Sequence, residues 1–310
     1  MKILTITLNP TVDKSTSIDK LVPEKKLRCD QPKFEPGGGG INVSRGLRRL
    51  GLESLAFFPS GGRTGKLLES LLEKENVQSL AVSVSGETRE NFIVVETSTN
   101  QQFRFGMPGT EVTGEEQEHI LNSLNSLSPF PEFIIVSGSL PPGIEASFLR
   151  DIVKVAKEKG AKIIADTSGD ALSQMVEEGV FLLKPNLGEL ANLTGIESLD
   201  NDSADEAAQQ LIAQGKTEAI VVSLGPQGAY LVTKDITKLI PAPTVKKLST
   251  VGAGDSMVAG MVSVLARGGD FIEMVRRGVA CGSAATMNSG TQLFKKEDAD
   301  RLFEFLSREN

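Results

Sequence analysis

The sequence predicts an α/β protein in which helices cover a mostly parallel β-sheet, with a small second sheet beside it. Two observations predict the large sheet: short apolar runs with strand character recur along the chain, and helical patterns lie between most of them. Such alternation gives right-handed βαβ units and a parallel sheet. A third observation predicts the small sheet, since two segments show period-two patterns with no helix between them.

The large sheet is predicted from six short runs rich in Ile, Leu, Val, Phe and Ala. These runs are Ile3–Leu8, Leu55–Pro59, Phe133–Val136, Lys162–Asp166, Phe181–Lys184 and Ala219–Ser223. The first run also indicates that the N-terminus is a strand and not a secretion signal, because Asn9 and Pro10 break it early.

Helices are predicted where apolar residues recur every three to four positions. Between the strands they are Ile41–Leu50, Gly65–Glu75, Glu115–Leu127, Ser147–Lys159 and Ala204–Ala213. The C-terminal third changes character and predicts successive helices over Asp255–Ala266, Ile272–Met287 and Lys296–Leu306.

Residues 14–36 and 88–106 do not fit the alternation, and we interpret them as two insertions that form a β lid. Their strands are predicted at Lys26–Phe34, Asn91–Glu96 and Gln102–Phe105. Residues 1–13, 37–87 and 107–310 then form the α/β core. Ordinary edge hairpins remain the alternative, because turn signals flank both segments.

The charge distribution favours the lid. The chain carries a net charge of -7, yet residues 1–66 hold 12 basic and 6 acidic side chains. A locally positive segment on an acidic protein indicates an anionic small-molecule ligand.

Composition excludes several classes of function. An acidic chain with a pI near 5.1 is not expected to bind nucleic acid in general. With no Trp, one Tyr and one His, base stacking, His-rich metal sites and Ser-His-Asp hydrolysis are disfavoured. Catalysis must then use carboxylates, backbone amides and cations.

Two features place the chain in a reducing cytoplasm away from membranes. The two cysteines match no metal-ligand spacing and form no disulfide framework. No window approaches the roughly 18 apolar residues that a membrane span needs.

The strongest motif is the small-residue stretch Ser249–Ser256, which runs directly into an apolar-periodic helix. Free N–H groups at such a helix N-terminus would point at a common anion. Asp255 in the first turn would repel a phosphate unless it accepts a proton from an attacking hydroxyl. A helix-capping role for Asp255 is the alternative, and the residues alone leave both open.

A second glycine cluster, Gly37–Gly40, precedes the predicted helix that contains Asn42. Four consecutive glycines cost folding entropy, so close approach of the backbone to a ligand is the favoured interpretation. Asn42 could donate to a sugar hydroxyl or a phosphate, with local capping as its alternative.

Two weaker motifs follow predicted strands. Asn186 and Glu189 are three residues apart, which suits either a hydrated Mg²⁺ site or, on spacing alone more readily, a capping box. Ser223–Gly228 suits a loop at the edge of a nucleotide or an ordinary hairpin turn.

The early GGGGINV stretch, the central KPNLGEL stretch and the late STVGAGDS stretch, in this order, resemble the ribokinase/PfkB family of carbohydrate kinases. The resemblance covers essentially the whole chain. It implies a doubly wound, ribokinase-like α/β domain with a small β-sheet lid.

The resemblance also implies roles for individual residues. Asp255 would be the catalytic base, and the amides of Gly252, Ala253 and Gly254 would form an anion hole. The sugar would contact Asp13, Gly38, Gly39 and Asn42, and its phosphate would contact Lys25, Arg89, Arg104 and Ser139. The nucleotide would lie against Lys184, Asn186, Ser223, Gly225, Gly228 and Ser249, and Glu189 would reach a metal through water.

Within the family the motifs are similar to the 6-phosphofructokinase branch. Fructose-1-phosphate and tagatose-6-phosphate kinases usually carry a lysine in the third position of the glycine run, where this chain has Gly39. The implied reaction transfers a phosphoryl group from ATP, with Mg²⁺, to C1 of fructose 6-phosphate. The two other sugar-phosphate kinases and a non-catalytic sugar-phosphate sensor remain alternatives. A homodimer through the lid is expected, and dependence on K⁺ is left open.

Overall fold

The computed structural model describes residues 2–200, 203–288, 290 and 292–308. A nine-stranded sheet forms its centre, with the spatial order β13-β12-β11-β10-β9-β8-β1-β4-β5. In chain order these strands are β1 (Ile3–Ile6), β4 (Leu55–Ser60), β5 (Gln78–Ser83), β8 (Phe133–Ser137), β9 (Lys162–Asp166), β10 (Val180–Leu183), β11 (Thr217–Ser223), β12 (Ala229–Thr233) and β13 (Thr237–Ile240). The seven neighbouring strands β5, β4, β1, β8, β9, β10 and β11 pair in parallel. Strands β12 and β13 extend the sheet as antiparallel strands.

Helices lie on both faces of this sheet, as predicted for a doubly wound fold. They are α1 (Gly39–Arg49), α2 (Gly62–Lys74), α3 (Gly114–Asn125), α4 (Phe148–Glu158), α5 (Gly169–Glu178), α6 (Leu187–Thr194), α7 (Ala204–Ala213), α8 (Ala253–Leu265), α9 (Phe271–Thr286) and α10 (Lys296–Arg308).

The two faces of the sheet bury two separate apolar cores. Side chains of β8 alternate between them: Ile134 and Val136 pack with α3 to α7, whereas Phe133 and Ile135 pack with α1 and α8 to α10. This follows from the period of two along a strand, and it explains why strands buried on both faces are almost wholly apolar.

A separate four-stranded sheet, called the second sheet below, consists of β2 (Thr11–Ile18), β3 (Lys33–Gly37), β6 (Arg89–Glu96) and β7 (Gln101–Phe105) in the order β3-β2-β6-β7. Register pairs Asp13 with Asn91 and Glu35, and Lys14 with Phe92 and Phe34. Since alternate residues point to opposite faces, one face is polar and the other carries aromatic rings.

The predicted strands Asn91–Glu96 and Gln102–Phe105 are confirmed within β6 and β7, but the strand Lys26–Phe34 is wrong. Residues 26–32 form no regular element, and the strand runs over Lys33–Gly37 instead. Pro32 cannot donate to a ladder, whereas Pro36 is tolerated because β3 is an edge strand.

Six elements, β2, β5, β12, β13, α5 and α6, were absent from the predicted list of strands and helices. The missed strands are short or mostly polar, since β2 reads TVDKSTSI and β13 reads TKLI with three exposed residues. β2 is held by pairing with β6, which is distant in the chain, whereas β12 and β13 form hairpins with the strands that precede them. The six predicted strands of the large sheet are confirmed, with ends that differ by at most two residues.

Turns between helices and strands lie at the edge of the sheet where the parallel strands begin. Gly160 and Gly215 turn the chain from α4 into β9 and from α7 towards β11, with φ of 75° and 71°. A Cβ at either position would meet nothing within 4 Å, so these turns are open.

None of the helices in the part of the chain described is long and apolar enough to cross a membrane.

Candidate active site

The candidate site lies at the opposite edge, where the parallel strands end. The residues just after β1, β8, β9 and β10 meet the N-terminal ends of α1 and α8 there. Open α/β sheets bind their ligands in such a crevice beyond the carboxyl ends of the strands.

The N-terminus of α8 presents its first amides without a side-chain cap. Gly252 is the N-cap residue with φ of 70°, a left-handed conformation that favours glycine. The N–H of Ala253 donates to the carbonyl of Thr250 over 3.4 Å, a long bond. The stretch predicted as an anion hole, Gly252 to Gly254, therefore lies at a helix N-terminus, where orphan donors and the helix dipole favour negative charge.

Asp255 is half-buried in the first turn of α8 and faces α1. Its Oδ2 accepts a hydrogen bond of 2.8 Å from Nδ2 of Asn42. Glycines allow the two helices to pack closely, since a Cβ on Gly46 of α1 would lie 2.6 Å from the Cβ of Ala259 in α8. The predicted catalytic base and the predicted sugar ligand Asn42 are thus in direct contact.

The surroundings of Asp255 hold its pKa far above the ordinary value for an aspartate. Burial raises the pKa and the negative charge of Asp166 adds to it, while the Asn42 hydrogen bond and the charge of Lys184 act in the other direction. The result is a pKa of about 7. A carboxylate that titrates near neutral pH is suited to general base catalysis.

Asp166 and Lys184 form a buried ion pair beside Asp255. Nζ of Lys184 lies 2.9 Å from Oδ1 of Asp166, and the hydroxyl of Ser137 donates to Oδ2 of Asp166 over 2.9 Å. Burial lowers the pKa of Lys184, but Asp166, Glu189 and Asp255 more than offset this, so the pKa lies above its ordinary value. Lys184 therefore stays cationic at the site.

Sequence reasoning selected Lys184 but missed its partner Asp166. The available signal was position, because Asp166 is the last residue of β9 and parallel strands end at the same edge.

The glycine run brings the chain from the second sheet into α1 with no room for side chains. A Cβ on Gly39 would lie 2.2 Å from Oγ of Ser137, and one on Gly40 would lie 2.6 Å from the carbonyl oxygen of Ile6. Gly38 has φ of 110°. Close approach to neighbouring strands is thus a reason for Gly39 and Gly40 that needs no ligand.

Asp13 projects from the polar face of the second sheet. Nδ2 of Asn91 donates to its Oδ1 over 3.0 Å. Burial raises the pKa of Asp13, and the Asn91 hydrogen bond and the charges of Arg89 and Arg45 only partly oppose this.

Arg89 is anchored by backbone carbonyls at the border between the two sheets. Its terminal nitrogens donate to the carbonyls of Met107 over 2.6 Å and Asn9 over 2.9 Å. The buried Nε finds no partner among the described residues. Nδ2 of Asn9 reaches Oγ of Ser139 over 3.2 Å, so Asn9, which sequence reasoning did not select, connects two of the predicted phosphate ligands.

Two further predicted phosphate ligands lie apart from this group. Arg104 is exposed on β7, on the same face of the second sheet as Asp13 by register. Lys25 is exposed in the turn between β2 and β3. Within the described ranges, neither side chain forms a hydrogen bond or ion pair with another candidate residue.

The nucleotide-side residues follow β10 and β11. Asn186 and Glu189 form a capping box at the start of α6, with two hydrogen bonds of 2.9 Å. The capping alternative is therefore correct, and Glu189 still adds negative charge near Lys184. Ser223 bridges to Asn186, which joins the two loops.

Gly225 begins a short 3-10 turn between β11 and β12, and Gly228 follows it, with φ of 58° and 109°. A Cβ on Gly228 would lie 2.1 Å from the carbonyl oxygen of Ile240. Ser249 precedes α8, and its hydroxyl donates to the carbonyl of Gly290 over 2.9 Å.

Oxygen ligands for a divalent cation are present, but they are not gathered into one cage. Over residues 2–200, 203–288, 290 and 292–308, no three His, Cys, Asp or Glu side chains cluster to hold a metal. Glu189 uses Oε2 in its capping bond, and Asp166 shares its oxygens with Lys184 and Ser137. This donor chemistry fits Mg²⁺ held largely by water and substrate phosphates.

Comparison with known proteins identifies relatives over the full chain. The model of the pfkB family carbohydrate kinases matches residues 3–298. The chain is 42% identical to the ATP-dependent 6-phosphofructokinase isozyme 2 of Escherichia coli, over 99% of this chain and 100% of that protein. It is 31% identical to the 1-phosphofructokinase of Bacillus subtilis, over 95% and 96% of the two chains.

Solved structures of related proteins show the same fold. The Escherichia coli phosphofructokinase-2 in complex with fructose-6-phosphate superposes with a TM-score of 0.93 at 41% identity, over 99% of both chains. The same enzyme in complex with potassium gives 0.95 at 42% identity, and its tetrameric inhibited form gives 0.92 at 41%, each over 99% of both chains. The ribokinase of Thermotoga maritima, at 20% identity and a TM-score of 0.76 over 98% and 99% of the two chains, shares the fold.

Proposed function

Because the chain belongs to the pfkB family of carbohydrate kinases, we propose that it transfers the γ-phosphoryl group of ATP to the C1 hydroxyl of fructose 6-phosphate. The products are fructose 1,6-bisphosphate and ADP. The observation that carries this proposal is Asp255, a carboxylate with a pKa of about 7 at the N-terminus of α8, in contact with Asn42. The relative at 42% identity is named for this reaction, whereas the 1-phosphofructokinase relative stands at 31%.

In this mechanism the ionised Asp255 accepts the proton of the C1 hydroxyl as that oxygen attacks the γ-phosphorus in line. Proton transfer to a positioned base contributes roughly 10²- to 10⁴-fold to a rate. The amides of Gly252, Ala253 and Gly254 donate to the oxygens of the transferred group, where preorganised dipoles stabilise the charge that spreads in the transition state.

The sugar lies between the second sheet and the start of α1. Asp13 accepts hydrogen bonds from its hydroxyls, and Gly38, Gly39 and Asn42 line the other side. Burial raises the pKa of Asp13, and hydrogen bonds from sugar hydroxyls would favour its ionised form.

The 6-phosphate lies at the border of the two sheets. Arg89 offers a positive charge that two backbone carbonyls hold in place, and Ser139 offers a hydroxyl that Asn9 holds in place. Arg104 and Lys25 add exposed positive charge. This charge attracts the dianionic substrate towards the site but contributes little to holding the substrate in one orientation.

ATP lies across the ends of β9 to β11. Lys184, held by Asp166, faces the phosphates, while Asn186, Ser223, Gly225, Gly228 and Ser249 line the nucleotide. Mg²⁺, when bound, would offset the charge of the nucleotide phosphates, and Glu189 would hold it through water. K⁺ is a further candidate cation, since the Escherichia coli relative has been crystallised with potassium.

The second sheet acts as the lid and as the interface of a cytoplasmic homodimer. Its aromatic face leaves Phe34 38% and Phe105 48% exposed, with the Phe92 ring 6.2 Å from that of Phe105. A strand edge and an apolar face of a small open sheet favour association with a second copy.

The experiment that tests the function compares four acceptors in one coupled ADP-release assay: fructose 6-phosphate, tagatose 6-phosphate, fructose 1-phosphate and fructose. We expect the highest kcat/KM with fructose 6-phosphate and the lowest with unphosphorylated fructose, because Arg89 and Ser139 would have no phosphate to bind. A higher kcat/KM with either of the other sugar phosphates would reassign the substrate, and no ADP release with any of them would exclude a sugar kinase.

A further inference from the structure

Arg45 lies in α1 at the centre of a contact network that reaches the candidate base. Its side chain is 2% exposed, and a buried arginine is rare unless its donors are occupied. It follows Asn42 by three residues and therefore lies on the same side of the helix.

The guanidinium of Arg45 is held from two other elements. Nε and one terminal nitrogen donate to the two carboxylate oxygens of Glu75, at the end of α2, over 2.8 and 2.7 Å. The other terminal nitrogen donates to the carbonyl of Pro36 in β3 over 2.9 Å. The terminal nitrogen that donates to Glu75 also lies 3.4 Å from Oε1 of Glu35, in the same strand. This bidentate arrangement fixes the plane of the guanidinium.

The fixed guanidinium determines which end of the Asn42 amide faces it. Arg45 donates to Oδ1 of Asn42 over 3.2 Å, and an arginine has donors only. The oxygen of the amide must therefore face Arg45. Nδ2 then lies on the opposite side and donates to Asp255 over 2.8 Å.

We propose that Arg45 is a positioning residue for the transfer reaction: it locks the Asn42 amide in the orientation that donates to Asp255, and it ties that orientation to β3 of the second sheet. The inference rests on the proposed function, in which Asp255 is the base. Asn42 thus acts on the base as well as on the sugar, and Arg45 and Asn42 together connect β3 to the base.

Loss of Arg45 would free the Asn42 amide to turn over. The turned amide is compatible only with protonated Asp255, whose hydroxyl would donate to the Asn42 carbonyl oxygen, so Asp255 would hold its proton to a higher pH. The charged groups that face Asp255 from the other elements, Asp166, Lys184 and Asp13, stay in place in such a variant. Arg45→Met also removes a positive charge that acts on Asp13, so the charge-conserving Arg45→Lys is the variant whose shift reports on the amide alone.

The test compares Arg45→Met, Arg45→Lys, Asn42→Ala and the double variant Arg45→Met/Asn42→Ala. Arg49→Met is the matched control, because Arg49 lies one turn further along α1 and donates to the carbonyl of Phe294, not to Asn42. For each variant, kcat and KM are measured against pH with the sugar phosphate that the wild type prefers.

We expect Arg45→Met to lower kcat about tenfold or more, the effect of losing roughly one hydrogen bond to a charged group. KM for ATP stays unchanged, and the acid limb of the pH profile moves to higher pH. Asn42→Ala moves the limb in the same direction, and the double variant moves it no further than Asn42→Ala alone. An unmoved limb in folded Arg45→Met, or additive shifts in the double variant, would overturn the proposal.

Arg45→Lys decides the matter if Arg45→Met does not fold. The ammonium can keep the ion pair with Glu75 but lacks the planar fork that also reaches Asn42. We expect a folded enzyme whose pH profile has its acid limb at a higher pH than in the wild type. A pH profile and kcat equal to those of the wild type would show that the guanidinium does not fix the orientation of the Asn42 amide.

A second readout needs no turnover. The carboxyl ¹³C resonance of Asp255, identified as the signal lost in Asp255→Asn, is titrated by NMR in the wild type, Arg45→Met and Arg49→Met. A higher midpoint in Arg45→Met alone supports the role of Arg45 even if no sugar phosphate is turned over. Equal midpoints contradict that role even if the sugar kinase activity is established.

Discussion

Asp255 combines two properties that normally exclude each other. It is half-buried beside a second carboxylate, Asp166, which disfavours its ionised form, and it receives one strong hydrogen bond and the field of Lys184, which favour it. Because of this balance, a substantial fraction of the enzyme carries an ionised Asp255 near neutral pH, and that carboxylate is more basic than an ordinary aspartate.

Replacing this side chain tests the base directly. Asp255→Asn keeps the shape but removes the proton acceptor, so we expect kcat to fall by roughly 10²- to 10⁴-fold while ATP still binds. Turnover and ATP binding by calorimetry are the measurements, with the exposed Asp151→Asn as control. Turnover near that of the wild type would remove Asp255 from the role of base.

The pH dependence follows from the pKa of about 7 at Asp255. As the pH falls through this value, kcat/KM for the sugar phosphate should drop by about tenfold per pH unit, because the base becomes protonated. A pH series from 5.5 to 8.5 measures this limb. A flat profile over that range would mean that Asp255 titrates well below 7 or is not the base.

The same pKa has a cost in stability. A folded-state pKa above the unfolded value of an aspartate means that the folded chain binds the extra proton between the two values. Asp255 therefore contributes less stability as the pH rises towards 7, a penalty that the favourable contacts of Asn42 and Lys184 reduce.

At the level of single residues, the sequence predicted the groups that belong to motifs and missed those that depend on the fold. Asp255 and Asn42 stand in glycine-rich stretches and were found. Asp166, Asn9 and Arg45 stand in no such stretch, and their partners Lys184, Ser139 and Glu75 are distant in the chain. Only the assembled sheet brings them together.

Helix α1 depends on glycine for its distance from β1. The N–H of Ile41 donates to the hydroxyl of Thr7 over 2.8 Å, a contact possible because Gly40 lies against the carbonyl of Ile6. The first turn of α1 also carries Asn42, so this spacing sets the position of Asn42 as well.

Gly40→Ala should therefore affect both stability and activity. The added Cβ would meet backbone atoms at 2.6 Å, and overpacking of this kind costs typically about 1 to 3 kcal/mol. Denaturation in urea and kcat are measured beside Gly114→Ala, whose Cβ would meet nothing within 4 Å. Equal stability of the two variants would mean that α1 can shift away from β1 without cost.

Elements with a strong local pattern were predicted and the others were not. The strands buried on both faces and the amphipathic helices follow from composition and period alone. Strands β2, β12 and β13 are polar or short and exist because a neighbour pairs with them. For β3, an apparent alternation of apolar and polar residues predicted the strand several positions too early in the chain. Pairing with β2 determines where the strand lies.

At the scale of the whole molecule, the second sheet is polar towards the site and aromatic on its other face. Phe105→Glu should weaken the proposed dimer by tenfold or more in Kd, about 1.4 kcal/mol, because a charge would be buried at an apolar interface. Sedimentation velocity over a range of concentrations measures the effect.

Phe305→Glu serves as the control for this measurement. Phe305 is also 48% exposed but lies on α10, away from the second sheet. Dissociation by Phe305→Glu and not by Phe105→Glu would place the interface on the opposite side of the molecule. A monomer in both variants and in the wild type would contradict the dimer itself.

The turns at Gly160 and Gly215 have a practical consequence for engineering. They lie at the edge of the sheet opposite to Asp255, Asp166 and Lys184, they face open space, and no candidate residue lies beside them. Fluorescent reporters, affinity tags or new chain termini introduced at these turns should leave the phosphoryl-transfer site intact. The molecule thus has one edge for chemistry and one on which it can be attached to a surface or fused to another protein.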